Sequence, residues 1–402
     1  MAPSEELDEL LLGVVVGMAA KLVGVSIQVR HGAARLTQPA IGQHREPQSL
    51  EPHSFSRKHG VSERIATRTT NPVEKIPASG QKIRFQMAAN KAILSESPSA
   101  GSVHRKMSEK MPKNVVSVDV EDYFHAEAFS DVVDRARWDS YTSRVEANTR
   151  RLLELLAALN VHATFFVLGW VAERFPALVR EIAAGGHELG CHSYWHRLIY
   201  KLDPAEFRED TWRAKNVIEQ IAGQPISGYR APTYSVTDRS TWALEILTEL
   251  GFSYDSSIFP IRHDRYGMPG APRAPFRFET PSGPMTEFPI TTFRLAGYNL
   301  PVGGGGYLRL LPRLYTRLGL KRVQKEGLPI VIYIHPWEID PEQPRLPGRV
   351  SSRLRHYTNL SRTFARFQSV LQEGKYTSFR ESGLAEAAKD FDFYEWNQHT
   401  NR

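Results

Sequence analysis

Apolar residues fall into two regimes along this chain, and the boundary lies near Lys113. Before it the sequence is rich in Ser, Pro, Gln, His and Arg, with no sustained period of two or of 3.6 residues, so it builds no packed core of its own. The stretch 10–29 is an exception, apolar apart from Lys21, Ser26 and Gln28, but Glu5, Glu6, Asp8 and Glu9 precede it. A secretory signal wants a positive start and a spanning helix wants few charges, so it matches neither well; an amphipathic helix or a stretch absent from the native product are the plainer readings. Residues 1–113 are therefore expected to be a disordered or non-native leader, with Met107 or Met111 as sensible starts for a compact domain.

After Lys113 short apolar runs alternate with amphipathic ones. The pattern predicts strands at 114–119, 163–168 and 188–192, and a late β-branched strand at 329–335. Between them it predicts helices at 143–159, with Val145, Leu152, Leu155, Leu156 and Leu159 on one face, at 171–184 stopped by Gly185 and Gly186, at 206–222 and at 239–250. Strand and helix in alternation imply an α/β fold with a parallel sheet covered by helices, open or closed into a barrel. In such folds chemistry gathers where strands end, and Asp119, His192 and His335 each end one. Residues 259–307 break the alternation and read as a loop insertion over the barrel mouth, including the run Gly303 to Gly306, which lacks the following Lys-Ser/Thr of a phosphate loop. A final amphipathic helix is expected at 351–371, and 376–402 as a polar tail that frays, which leaves 114–375 as the folded domain where any catalytic centre would lie.

Composition narrows this further. The 402 residues, 41% of them hydrophobic, supply enough apolar material for a full core. The net charge of +7 would suggest nucleic acid, but 16 Lys and Arg stand against 10 Asp and Glu up to Lys113, which leaves 35 against 34 in the body. A balanced body without a basic stripe has no nucleic-acid footprint. The single cysteine, Cys191, excludes an internal disulfide and reads as a small buried hydrophobe.

The candidate chemistry lies in two clusters. His192 and His196 stand at i and i+4, and Asp119, Glu121 and Asp122 lie upstream at a strand end. Two imidazoles and one carboxylate leave a divalent cation open to water, and a second carboxylate then serves as general base. Glu121 and Asp122 are both candidates for the ligand, and a solvated loop or a helix start is the plainer alternative for each. His335 can complete the set as a general acid.

In order, Val118-Asp119-Val120-Glu121-Asp122, His192-Ser193-Tyr194-Trp195-His196, Arg230-Ala231-Pro232 and Ile334-His335 resemble the motifs of the NodB-type polysaccharide deacetylases, carbohydrate esterase family 4. The run from Asp119 to His125, with Arg355-His356-Tyr357 and Asn359-Leu360, is similar to the subgroup found at exosortase and exopolysaccharide loci. The resemblance covers about residues 114–371. It implies a distorted (β/α) barrel with parallel strands and outer helices.

The resemblance also implies roles. Asp119 would be the general base, and His192 and His196 metal ligands. Val120 stands where the family usually has its third ligand, so Glu121 or Asp122 must take that part. Arg230 would orient the base, and Pro232 would stiffen a loop whose backbone N–H meets the oxyanion. Thr233 and Tyr234 follow where the family has an aromatic directly after the proline. His335 would be the general acid and Asp255 the carboxylate that tunes it, while Tyr234, Trp195 and Trp337 are candidates to stack on sugar rings. The expected cofactor is a divalent metal, zinc foremost. The expected reaction removes N-acetyl groups from a polysaccharide and releases acetate. An O-acetyl esterase, a small-amide hydrolase or an inactive glycan-binding protein are the competing classes. Expected partners are the polysaccharide and membrane exopolysaccharide machinery, with no nucleic acid, and the expected place is the cytoplasm or the inner membrane.

Overall fold

The computed structural model describes residues 26–30, 33–37, 113–263 and 265–400. In the leader, Ser26–Arg30 (β1) and Ala33–Thr37 (β2) pair antiparallel, with Ile27 opposite Leu36 and Val29 opposite Ala34. A strand pair was not expected there. Ile27 and Val29 alternate with Gln28 and Arg30, a period of two at the end of a longer apolar run that hides it. The other readings of the leader lie outside the described residues.

In the body the strands are Asn114–Val120 (β3), Thr164–Val167 (β4), Glu188–Cys191 (β5), Gly228–Tyr229 (β6), Tyr254–Asp255 (β7), Phe276–Thr280 (β8), Gly283–Glu287 (β9), Thr292–Leu295 (β10), Tyr298–Pro301 (β11), Val331–Ile334 (β12), Tyr376–Thr377 (β13) and Lys389–Asp390 (β14). The main sheet runs β12-β3-β4-β5-β6-β7-β9-β8-β14, with β13 beside the start of β3. Every pair in it is parallel except β8 with β9. Beyond β9 the chain returns to β12: the Thr291 N–H reaches the Val331 carbonyl at 3.3 Å, and the Tyr333 N–H reaches the Gly303 carbonyl at 2.9 Å. These bonds close the sheet on itself, and the fold is α/β with a mostly parallel central sheet curled into a distorted barrel.

The outer helices bury their apolar stripes on this sheet. Val145–Ala158 (α1) buries Val145, Leu152, Leu155 and Leu156. The helix expected at 171–184 is two, Gly169–Arg174 (α2) and Pro176–Ala184 (α3), because Pro176 excludes the helical conformation at Phe175 and then starts the second helix at its first position. Pro204–Ala222 (α4) opens on a capping box between Asp203 and Glu206 and ends at Gly223 in the left-handed region. Trp242–Glu249 (α5) follows.

Three expectations about the second half are corrected. Residues 259–307 are not a loop over the mouth: they contain β8 to β11, and β9 is an inner strand of the sheet. Phe276 and Phe278 of β8 do alternate with Arg277 and Glu279, but this single five-residue run stands among shorter or Pro- and Gly-containing strands that carry little periodic signal, which is why the pattern missed them. The helix expected at 351–371 is again two, Val350–Tyr357 (α8) and Leu360–Glu373 (α9), divided where Asn359 adopts φ 60°; Gly305–Leu310 (α6) and Arg313–Lys325 (α7) precede them. The polar tail is ordered into the body. Phe379 is buried against Phe166, Tyr254 and Phe288, and the Phe379 and Arg380 N–H groups bond Thr164 Oγ1 and Glu188 Oε2, each at 2.9 Å. Residues 376–382 thereby close the amino end of the barrel and leave the carboxyl end for chemistry. Among the described residues no helix is long and apolar enough to cross a membrane.

Candidate metal centre and active site

Two strand ends and one strained loop build the centre. At the end of β3 the Glu121 N–H bonds back to the Asp119 carbonyl at 3.0 Å. After β5 the chain bends through two non-glycine residues with positive φ, Ser193 at 63° and His196 at 50°. Such backbone is costly and persists only where its surroundings over-determine it. Here the Tyr194 and Trp195 N–H groups bond the buried Asp210 carboxylate of α4 at 2.7 and 3.2 Å, the His196 N–H bonds Ser193 Oγ at 3.0 Å, and Arg135 holds the Trp195 and His196 carbonyls at 2.8 and 3.2 Å. The bend returns His196 to the side of His192.

Ligand atoms of Glu121, His192 and His196 lie within 4.8 Å of one another, all three residues buried. Glu121 Oε2 stands 2.8 Å from His196 Nε2 and lacks a hydrogen-bond donor. His192 Nδ1 donates to the Arg230 carbonyl at 2.8 Å, which leaves the Nε2 lone pair free. Burial pushes the His192 pKa down to about 4 against the pull of Asp119, so the ring is neutral. Burial alone would raise Glu121, but the His196 and His335 rings outweigh it and hold the carboxyl well below the usual carboxylate range. One anionic oxygen and two imidazole nitrogens, desolvated and converging, fit a divalent cation with an open coordination position.

Asp122 is outside this cluster. Its Oδ2 accepts from Ser143 Oγ at 2.6 Å and from the Arg144 and Val145 N–H groups at 2.8 and 3.1 Å, so it satisfies the free amides at the start of α1. Of the two open candidates Glu121 faces the histidines and Asp122 caps a helix.

Asp119 is buried, with Oδ1 2.7 Å from Arg230 Nη1 and Oδ2 3.8 Å from His335 Nε2. Arg230 is wholly buried and also bonds Ser117 Oγ at 2.6 Å and the Ser256 carbonyl and hydroxyl at 3.0 and 2.8 Å. His335 Nε2 lies 3.6 Å from Glu121 Oε1. Burial would lower its pKa, but Glu121, then Glu338, then Asp119 outweigh burial and hold it up at about 9. These carboxylates favour the protonated ring.

The carboxylate on His335 Nδ1 is Glu338, at 3.1 Å, and not Asp255. Asp255 accepts from Ser257 Oγ at 2.5 Å and is paired with Glu287; burial, outweighing those bonds, raises it to about 6. Tyr234 and Trp337 are not exposed sugar platforms either. Tyr234 is buried against Tyr333 and Phe259. Trp337 donates its indole N–H to Glu121 Oε1 at 3.0 Å and stacks between His335 and His356, 5.2 and 4.1 Å away. Pro232 and Thr233 lie in a turn, Pro232–Tyr234, after Arg230, with Thr233 at φ 54°, an outlier for a β-branched residue. Asp210, Arg135, Arg309 and Glu338 were missed by sequence reading. Glu338 alone carried a signal, standing three residues beyond His335 in a Pro-started turn.

Residues 137–254 match the family described as polysaccharide deacetylase, and residues 256–383 match a domain of unknown function. A stretch of the chain is thus similar to polysaccharide deacetylases. His192, His196 and Arg230 lie within the deacetylase match; Asp119 and Glu121 precede it, and His335, Trp337 and Glu338 fall in the second match. The chain is similar to a peptidoglycan-N-acetylglucosamine deacetylase of Bacillus cereus, 35% identical over 98 residues, 24% of this chain and 36% of the relative. It is also similar to a chitooligosaccharide deacetylase of a Bradyrhizobium species, 28% identical over 99 residues, 25% of this chain and 43% of the relative. The deacetylase match thus spans less than half the length of either relative. A provisionally assigned polysaccharide deacetylase from Mycobacterium smegmatis superposes over 72% of this chain and 91% of its own at TM-score 0.44 and 20% identity.

Proposed function

We propose that this protein is a metal-dependent hydrolase that removes N-acetyl groups from N-acetylhexosamine units of a polysaccharide and releases acetate. The convergence of Glu121, His192 and His196 beside the Asp119–Arg230 pair carries the reading. A divalent cation held by those three residues, zinc foremost, would supply an activated water and polarise the acetyl carbonyl. Asp119, oriented through Oδ1 by Arg230, keeps Oδ2 free to take the proton of the attacking water. The loop stiffened by Pro232 would offer a backbone N–H to the developing oxyanion. His335 then gives its Nε2 proton to the departing amine, which cannot leave as an anion.

The matched peptidoglycan and chitooligosaccharide deacetylases support an amino-sugar polymer as substrate. The motif run from Asp119 to His125, with Arg355 to Leu360, supports an exopolysaccharide as that polymer and work beside membrane machinery, in the cytoplasm or at the inner membrane. The test is acetate release from oligomeric N-acetylglucosamine by wild type, Asp119→Asn and His196→Ala, with chelator and after zinc is returned. Release that needs zinc and both residues is the expected result. Release from O-acetylated sugars alone would make the protein an esterase, and glycan binding without release would make it a binding protein.

A further inference from the structure

Around the acid lies a buried ion pair that no step above uses. His335 opens a 3-10 turn, Pro336–Ile339, and Glu338 folds back on it. Glu338 Oε2 accepts from His335 Nδ1 at 3.1 Å and from the His335 backbone N–H at 3.2 Å, while Oε1 stands 3.2 Å from Arg309 Nε. Arg309 and Glu338 are 3% and 0% exposed. The guanidinium is itself tethered, Nη1 donating to the Arg355 and Thr358 carbonyls at 2.6 and 2.8 Å, at the junction of α8 and α9. Space for the carboxylate is cleared by Gly305, where a Cβ would lie 1.8 Å from Glu338 Oε2. An apolar pair of similar volume stabilises a fold at least as well as a buried ion pair, so stability alone is no account of these two charges.

We propose that Arg309 and Glu338 are a positioning pair for His335. They hold its ring with Nδ1–H on the carboxylate and turn Nε2 toward the space between Asp119 and Glu121. The inference rests on the deacetylase reading, in which His335 is the acid. In that step the Nε2–H bond breaks as an N–H bond forms on the departing nitrogen. The C–N electron pair goes to that nitrogen, and the Nδ1 proton stays on the ring, donated to Glu338 throughout. This gives part of the region matching a domain of unknown function a definite task, which is to aim the proton donor of the centre that Asp119 and Glu121 build with His192, His196 and Arg230 of the deacetylase match.

Misaimed acid should matter only where the leaving group needs a proton. The experiment compares the zinc-loaded full chain on two substrates, oligomeric N-acetylglucosamine and 4-nitrophenyl acetate, whose phenolate departs unaided. Glu338→Gln keeps the volume, and the double variant Arg309→Met with Glu338→Leu removes both charges without stranding either. Both variants are expected to lose about 10- to 100-fold in kcat on the oligomer, the usual effect of an orienting residue, with KM and zinc affinity little changed. Rates of both variants on the aryl acetate should stay within about threefold. Nitrogen NMR of the histidine rings should show the Nδ1 signal of His335 altered in both variants.

Equal losses on the two substrates, or no loss on either, would overturn the positioning role while leaving the deacetylase reading intact. Wild-type protein that releases no acetate from the oligomer would end both.

Discussion

Replacing Arg230 by Met tests the buried charge at the heart of the barrel. Arg230 is 0% and Asp119 1% exposed, and their atoms approach to 2.7 Å. The guanidinium also serves Ser117 and both oxygens of Ser256 and lies 4.2 Å from the Phe166 ring. Methionine fills most of the volume, so the cost is electrostatic: it removes the closest counter-charge of a buried carboxylate, leaving only the His335 ring 3.8 Å away, and leaves Ser256 Oγ with one partner fewer. Breaking a buried pair from one side costs about 3–5 kcal/mol. Adding Asp119→Asn removes the stranded charge, so the double variant should recover at least about 1 kcal/mol of that loss. The assay is guanidinium unfolding followed by tryptophan fluorescence, in chelator so that metal binding to the native state does not enter the comparison. A single variant that loses less than about 1 kcal/mol, or a cycle with no coupling between the two sites, would refute the argument that the pair is desolvated and mutually dependent.

Other outcomes follow from the same geometry. Trp337→Phe keeps the stack on His335 and His356 but removes the N–H donated to Glu121, and zinc affinity by competition titration should fall about 10- to 100-fold. Asp203→Ala deletes one half of the capping box that starts α4 and should lower stability by about 1 kcal/mol in the same unfolding assay, with no change in zinc affinity. Burial, with the nearby His162 adding to it, pushes the His187 pKa down to about 4, below the ordinary 6.5 of an unfolded chain. Protons therefore favour unfolding: the stability of the neutral ring is complete above pH 6.5 and is lost as pH falls toward 4. His187→Gln should shrink the stability lost between pH 7 and pH 5 by about 1–2 kcal/mol; an unchanged difference would mean the ring is solvated.

Local physics made much of this molecule legible in one dimension. Buried parallel strands need near-continuous apolar runs, so Val115 to Val120, Phe165 to Val167 and Ile330 to Ile334 announced themselves. Because parallel strands end on one rim, the order of the strands alone brings Asp119, His192 and His335 together. What remained illegible depends on contacts between distant segments. Whether Glu121 or Asp122 faces the histidines was decided by α1, whose unsatisfied amides claim Asp122 across more than 20 residues of sequence. The partner of His335 was decided by the turn Pro336–Ile339 and by Arg309, and the use of Trp337 by its reach to Glu121, none of which leaves a periodic mark. Residues 259–307 and 376–382 looked like loop and tail because their strands are short and meet partners far away, and only the closing of the barrel gives them a place. The order of the chain thus determined which chemistry was on offer and at which end of the sheet; tertiary packing decided which carboxylate does which task, since desolvation and hydrogen-bond geometry exist only once remote side chains share a dry interior.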